Sequence, residues 1–211
     1  MLKINEIAPN FEAETTSGKI DFHNWASDSW VILFSHPKDF TPVCTTELGY
    51  MAKIERDFTS RNCKLIALSI DSLDDHNRWK KDIEEVQGVS VNYPLIADED
   101  LNIAKLYNML PLKEQADNSR TAMTNATVRS VFLIDPDKKI RMMLTYPMIT
   151  GRNFDEILRV LDSVQLTSKF KVATPANWKK EDKVIIVPAL SDDEAKEEFG
   201  EFEKIKPYLR F

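Results

Sequence analysis

Short runs of apolar residues alternate along the chain with longer stretches in which apolar side chains recur every three or four positions. Trp30 to Ser35 (Trp-Val-Ile-Leu-Phe-Ser) is short and rich in branched and aromatic residues, which predicts a buried strand. Lys64 to Ile70 predicts a second. Between them, Pro42 to about Phe58 has Leu48, Met51, Ile54 and Phe58 on one helical stripe. Ser72 to about Gln87 is a further helix, with Trp79, Ile83 and Val86 at helical spacing. Tyr93 to Ala97 predicts a short strand and Leu101 to Tyr107 a short helix. Val128 to Ile134 and Ile140 to Tyr146 flank Asp-Pro-Asp-Lys-Lys, a turn-forming cluster, and so form a hairpin. Asn153, with Glu156 three residues later, starts a helix whose buried side is Phe154, Ile157, Leu158, Leu161 and Val164.

Strands and helices mixed in this way predict an α/β body with a central sheet covered by helices. The hairpin makes that sheet mixed rather than purely parallel. The body is expected over residues 1–168. In residues 169–211 the pattern shifts to Pro175, Trp178, an isolated apolar strand Val184 to Val187 and an acidic helix capped by Ser191 with Glu194. An arm of that length is too short to fold alone, so it is expected to pack on its own body or on a partner subunit.

Composition narrows the function classes. Of 211 residues, 43% are hydrophobic and 29% charged, as in ordinary globular proteins. A net charge of −6 argues against a sequence-independent grip on nucleic acid and against docking on an anionic membrane. No apolar run approaches the length of a bilayer span, so no integral membrane contact is expected. Met1-Leu-Lys-Ile-Asn-Glu has no apolar signal core and is not arginine-rich, which predicts a cytoplasmic protein. Asn125-Ala126-Thr127 fits a glycosylation sequon, read as chance without a secretory signal. The two cysteines and three histidines show no metal-ligand spacing, so neither a metal nor a cofactor is expected. His76 is expected to be a solvated or half-buried helix residue.

The chemistry concentrates around Cys44. Thr41 suits an N-cap and Pro42 the first helical position, where its missing N–H costs nothing. Cys44 is then the third residue of a helix that follows a strand. Unpaired N–H groups and the positive end of the helix dipole favour a thiolate there. Two effects oppose it: Cys44 shares a helical line with Leu48 and Met51 and leans into the core, and Glu47 brings a negative charge one turn on. The site therefore needs a cation. Cys63, at the start of the second strand, is read as structural.

Pro37-x-x-x-Thr41-x-x-Cys44, within Phe-Ser-His-Pro-Lys-Asp-Phe-Thr-Pro-Val-Cys-Thr-Thr-Glu, resembles the peroxiredoxin signature, and specifically the one-cysteine branch, the peroxiredoxin-6 subfamily. Leu65 to Asp71, Thr150 to Arg159 and Val172 to Pro175 extend the resemblance over essentially the whole chain. It implies a thioredoxin-like fold with Cys44 as the peroxidatic nucleophile. Thr41 would hydrogen-bond the peroxide and Pro37 would shield the thiolate. Arg129 would supply the cation, Glu47 would orient it, and Arg152 and His36 would border the pocket. Without the resemblance, Arg129 and Glu47 read equally as a surface ion pair.

The resemblance further implies hydroperoxide substrates, a sulfenic acid on Cys44, and regeneration by an external thiol, either glutathione or a thioredoxin-like protein. No cysteine follows Cys63 to resolve the sulfenate internally. It also implies a homodimer with residues 169–211 as the dimerisation arm. Some members of the subfamily are described as phospholipases, and the matching positions are Ser29, His23 and Asp137; here the serine lacks the glycines of a nucleophile elbow. Asp28-Ser29 otherwise reads as a turn and His23 as a surface or hairpin residue. A redox-regulated chaperone or peroxide sensor is a different class of reading, separated from the enzyme by multiple turnover. A dithiol oxidoreductase lacks its Cys-x-x-Cys.

Overall fold

The computed structural model describes residues 2–111 and 126–211, so Asn125 of the sequon lies outside the described residues. The chain forms two compact units, Met1–Arg152 and Asn153–Phe211. The sequence reading put the break after Ser168, at the far end of the helix that opens the second unit.

In the first unit the elements run β1 (Glu12–Ala13), β2 (Ile20–Asp21), α1 (Phe22–Ala26), β3 (Trp30–Ser35), α2 (Pro42–Lys53), α3 (Glu55–Thr59), β4 (Cys63–Ser69), α4 (Leu73–Gln87), β5 (Leu95–Ala97), α5 (Asn102–Leu106), β6 (Arg129–Ile134) and β7 (Ile140–Tyr146). The central sheet has the order β5-β4-β3-β6-β7. β3 pairs parallel with β4, and β4 with β5, while β6 runs antiparallel to both β3 and β7. This is the mixed sheet that the hairpin predicted. The fold is a thioredoxin-like α/β architecture.

β3 lies at the centre and every one of its residues is buried, which explains why it reads as a continuous apolar run rather than an alternating one. Alternation sends Val31 and Leu33, with Ile66, Leu68, Phe132 and Ile134, to one face. There they form a core with Phe22 and Ala26 of α1 and Ile103 and Ala104 of α5. Phe34 points to the other face and packs on Tyr93, whose hydroxyl donates to the Leu48 carbonyl of α2. α2 and α4 lie on that side.

The expected helix from Pro42 to Phe58 is divided at Ile54, whose backbone (φ −101°, ψ 10°) leaves helical geometry before α3 begins. α4 starts and stops where the sequence suggests: Ser72 accepts from the Asp75 N–H, and Gly88 takes the left-handed conformation (φ 66°, ψ 26°). Its buried stripe is His76, Trp79 and Ile83, whereas Val86 is 62% exposed. His76 is thus a fully buried core residue, not the solvated or half-buried one expected.

The second unit contains α6 (Phe154–Lys169), β8 (Val172–Ala173), β9 (Ile185–Ile186), α7 (Asp192–Phe199), β10 (Lys204–Lys206) and β11 (Leu209–Arg210). Asn153 caps α6 by accepting from the Glu156 N–H, and Ser191 and Glu194 form a reciprocal capping box on α7. Phe154, Ile157 and Leu161 of α6 are buried, while Leu158 and Val164 are half-buried. The apolar strand near Val184 is not isolated: β9 pairs antiparallel with β8. Ile186, Leu190 and Ala195 make a small core, and Arg210 ties it by donating to the carbonyls of Val187 and Leu190. No helix among the described residues is long and apolar enough to cross a membrane.

Leu33 is fully buried between the β4 and β6 positions Ile66 and Phe132. Leu33→Ala is expected to destabilise the protein by about 2–5 kcal/mol through the cavity it leaves, read from urea unfolding with an unchanged m-value.

Candidate active site

β3 ends at Ser35, and the segment from His36 to Thr41 carries the chain across the carboxyl edge of the sheet into α2. Pro37 is buried and Thr41 half-buried. Thr41 has the extended backbone of an N-cap, yet its side chain does not cap. Its hydroxyl donates instead to the Lys38 carbonyl at 2.8 Å, while its own carbonyl accepts from the Thr45 N–H and hydroxyl. With that hydrogen committed, the Thr41 oxygen faces any ligand as an acceptor.

Cys44, the third residue of α2, is fully buried, beyond the partial burial that its helical line suggests. Arg129, the first residue of β6, points Nη1 at its sulfur from 3.4 Å. The same nitrogen donates to Glu47 Oε2 at 2.7 Å, and Nε and Nη2 both donate to the Met148 carbonyl. Arg152 meets Glu47 from the loop after β7. Its backbone N–H and Nε donate to Oε1 at 2.8 and 3.0 Å, and Nη2 donates to Oε2 at 2.6 Å. Its Nη1 reaches the carbonyls of Ser35 and Ser130, and its guanidinium lies 5.2 Å from the centre of the Phe34 ring.

Glu47, Arg129 and Arg152 are all buried. They form no surface ion pair, and the negative charge set against the Cys44 sulfur is absorbed by two guanidiniums. Burial by itself would raise the Glu47 carboxyl. The hydrogen bonds and charge of Arg152, then the charge of Arg129, outweigh that and hold it below the ordinary carboxylate range. Two cations against one carboxylate leave one positive charge facing the cysteine.

His36 joins a second buried network. Its Nε2 lies 2.7 Å from Asp39 Oδ1, and the other carboxylate oxygen lies 2.6 Å from His76 Nδ1. His76 Nε2 contacts the Ile96 carbonyl at 3.0 Å, and the Asp39 N–H donates to Asp71 Oδ2. Burial would raise the Asp39 carboxyl, but hydrogen bonds from His36 and His76 and their charge bring it down to about 2. The donor atoms of His36, Asp39 and His76 lie within 4.8 Å of one another, close enough for one metal ion. Each of them is already hydrogen-bonded, so the group reads as a proton-bearing network. Sequence spacing missed it because Asp39 and His76 are distant in the chain. A surface cleft of about 490 Å³ opens beside Thr41, lined by Lys38, Asp39, Phe40, Asp71, Asp75 and Arg78.

The other candidate residues do not join these networks. Ser29 is buried and donates to Asn62 Oδ1, the His23 ring, half-buried in α1, bonds the Ala8 carbonyl, and Asp137 is exposed. No hydrogen bond links the three. Cys63 is buried at the start of β4, and burial pushes its thiol far up.

Asp39 and Glu47 both have depressed carboxyls, so each stabilises the fold above its unfolded-state value near pH ~4 and loses that contribution as pH falls. For Asp39 the loss runs down to about 2. Urea unfolding measured from neutral pH downward should show stability falling through this window. A free energy that stays flat there would mean the two carboxylates are not held ionised.

Comparison with known proteins bears on the whole of this arrangement. Residues 4–143 match the AhpC/TSA family and residues 163–201 match the C-terminal domain of 1-Cys peroxiredoxin. A 1-Cys peroxiredoxin of Dictyostelium discoideum is 52% identical over 210 residues, covering 99% of this chain and 84% of that protein. Peroxiredoxin-6 of Mus musculus is 51% identical over 220 residues, covering 100% and 96%. A solved yeast mitochondrial 1-Cys peroxiredoxin, whose thiol is resolved via glutathione/thioredoxin systems, superposes with a TM-score of 0.90 at 52% identity, covering 100% of this chain and 99% of that one. With both matched segments in one chain and half of all positions shared with these proteins, the chain belongs to the AhpC/TSA family, in its 1-Cys peroxiredoxin branch.

Proposed function

We propose that this thiol peroxidase works through Cys44 as its single peroxidatic nucleophile, with Arg129, Thr41, Glu47 and Pro37 as its active-site partners and Arg152 and His36 bordering them. The observation that carries the reading is the Arg129 guanidinium 3.4 Å from the Cys44 sulfur, inside the first turn of a helix. A thiolate there balances the excess positive charge of Arg129, Arg152 and Glu47. It also meets the free N–H groups of the helix start.

The chemistry follows from the donors and acceptors present. The peroxide's terminal O–H donates to the Thr41 oxygen, whose own hydrogen is committed to Lys38. A lone pair of the thiolate sulfur forms an S–O bond to the peroxide's terminal oxygen as the O–O bond breaks. The electron pair leaves on the distal oxygen, where the Arg129 guanidinium and backbone N–H groups stabilise it until it takes a proton and departs as water or an alcohol. Cys44 is left as a sulfenic acid, which excess peroxide carries on to the sulfinic state. Buried Pro37 keeps water from the sulfur.

Regeneration consumes two equivalents of an external thiol. The first forms a mixed disulfide and releases water, and the second restores the Cys44 thiol. Glutathione or a thioredoxin-like protein fits this role, as in the yeast relative. Cys44 has no exposed surface, so either reductant reaches it only after the first turn of α2 moves. Free cysteines suit a reducing compartment; the cytoplasm is one, and the yeast relative is mitochondrial.

The protein is further proposed to act as a homodimer, with residues 169–211 as the arm that engages the second copy. Ile205 and Tyr208, 52% and 68% exposed on the β10–β11 hairpin, support an apolar contact there. Light scattering on the full chain should give twice the monomer mass, falling toward one in Ile205→Asp/Tyr208→Asp.

Cys44→Ser is expected to abolish peroxide turnover while Cys63→Ser largely keeps it; the reverse ranking refutes the assignment. Arg129→Ala should leave the far-ultraviolet spectrum intact but slow sulfenate formation by roughly 100-fold or more, the scale of losing one charge-stabilising donor. Stopped-flow kinetics with hydrogen peroxide reads this out, and an unchanged rate removes Arg129 from the site.

A further inference from the structure

His76 stands 32 positions from Cys44, on a different helix, and touches none of the reacting groups. Both of its ring nitrogens nevertheless face acceptors. Nε2 lies 3.0 Å from the Ile96 carbonyl, which can only accept, so Nε2 carries a hydrogen. Nδ1 lies 2.6 Å from Asp39 Oδ2. One hydrogen must sit in that contact as well, on the carboxyl or on the ring.

The surroundings place it on the ring. Asp39 already accepts from His36 at Oδ1, which favours its ionised form. Nδ1 of His36 is buried with no hydrogen-bond partner, so that ring reaches Asp39 through Nε2 alone. Two further acids lie near His76, and the cation Arg78 on the same helix is paired with one of them, Asp75. Asp71 accepts from the Asp39 N–H and the Ser69 hydroxyl, and Asp75 is the preceding residue on α4. Burial disfavours a charged ring, but Asp39, the Ile96 carbonyl and Asp71 together outweigh it and raise the His76 value.

The loop this charge holds is the one that starts α2. Between Pro37 and Thr41, Asp39 is the only buried side chain; Lys38 is half-buried and Phe40 is 46% exposed. Phe40 also holds a left-handed backbone (φ 54°), a conformation disfavoured for an aromatic residue that persists only where its surroundings impose it. One turn after His76, Trp79 packs on the His36 ring with 5.1 Å between ring centres and donates to the Thr45 hydroxyl. α4 therefore grips the Cys44 turn at two points.

We propose that His76 is a positioning residue of the peroxidase site: an imidazolium protonated on both ring nitrogens, which anchors Asp39 and, through it, the His36–Thr41 segment that sets Thr41 and the first turn of α2 around Cys44. The proposal rests on the Cys44 site described above and extends it to a group outside that site.

Two measurements test it. Nitrogen-15 correlation spectra of the intact protein should show both His76 ring nitrogens protonated at neutral pH, with one proton lost only above the free-histidine value of roughly 6.5. A bare Nδ1 at neutral pH overturns the proposal without any variant having to fold. Second, His76→Gln can donate to Asp39 but cannot carry the charge. It should form sulfenate roughly 10- to 100-fold more slowly, the cost of a misplaced reacting geometry, and should lose the fall in rate that the wild type shows as rising pH discharges His76. A variant with lowered thermal stability but wild-type rate and pH profile would reduce His76 to a structural residue. Turnover surviving in Cys44→Ser would instead remove the Cys44 site, leaving the ring protonation measured in the wild type standing alone.

Discussion

A single carboxylate, that of Glu47, holds two buried guanidiniums in place around a buried sulfur. Ions out of water are costly, and the cost is offset only when every charge is paired and every donor finds an acceptor. Glu47 meets that condition with both oxygens occupied by Arg129 and Arg152, and Arg152 meets it further through the carbonyls of Ser35 and Ser130. Breaking such a pair costs about 3–5 kcal/mol, which makes the geometry of α2, the start of β6 and the loop after β7 mutually dependent. The reactivity proposed for Cys44 rests on the same pairing, because the positive charge left over faces its sulfur.

The carboxyl end of β3 is held from two directions by two ionic networks. The Ser35 carbonyl belongs to the arginine cluster, and the next residue, His36, belongs to the Asp39–His76 network. The Thr127 hydroxyl adds a third tie by donating to the His36 carbonyl. A strand end fixed in this way gives the following loop a rigid root. That rigidity lets a non-glycine residue, Phe40, sit in a left-handed conformation two residues before the helix. The first turn of α2 is thus held from the strand end that precedes it.

Membership of the 1-Cys peroxiredoxin branch and the site geometry answer different questions. The family supplies the reaction, thiol-dependent reduction of a peroxide. The geometry is what supports assigning it, as proposed, to one of two buried cysteines. Cys44 and Cys63 are both shielded from solvent, but among the described residues only Cys44 has a guanidinium within reach, and it alone sits in the first turn of a helix. Cys63 sits on a strand in an apolar setting where burial suppresses ionisation.

Local signals in the chain were enough for most of the framework. Asn153 with Glu156, and Ser191 with Glu194, mark helix starts because capping depends on neighbouring residues alone. The Asp-Pro-Asp-Lys-Lys turn identified the β6–β7 hairpin for the same reason. Placing Cys44 in a first turn needed only Thr41 and Pro42. Wherever a group's environment comes from distant segments, the one-dimensional pattern fell short. His76 read as solvated or half-buried because its partners, Asp39 and the Ile96 carbonyl, lie elsewhere in the chain. Thr41 read as a capping side chain, whereas the bend of the preceding loop offers it the Lys38 carbonyl instead. Residue identities alone let Glu47 and Arg129 be a surface pair as readily as a buried one. Desolvation, which decides between those outcomes and sets what each charge does, is a property of the packed molecule and exists only once the chain has folded.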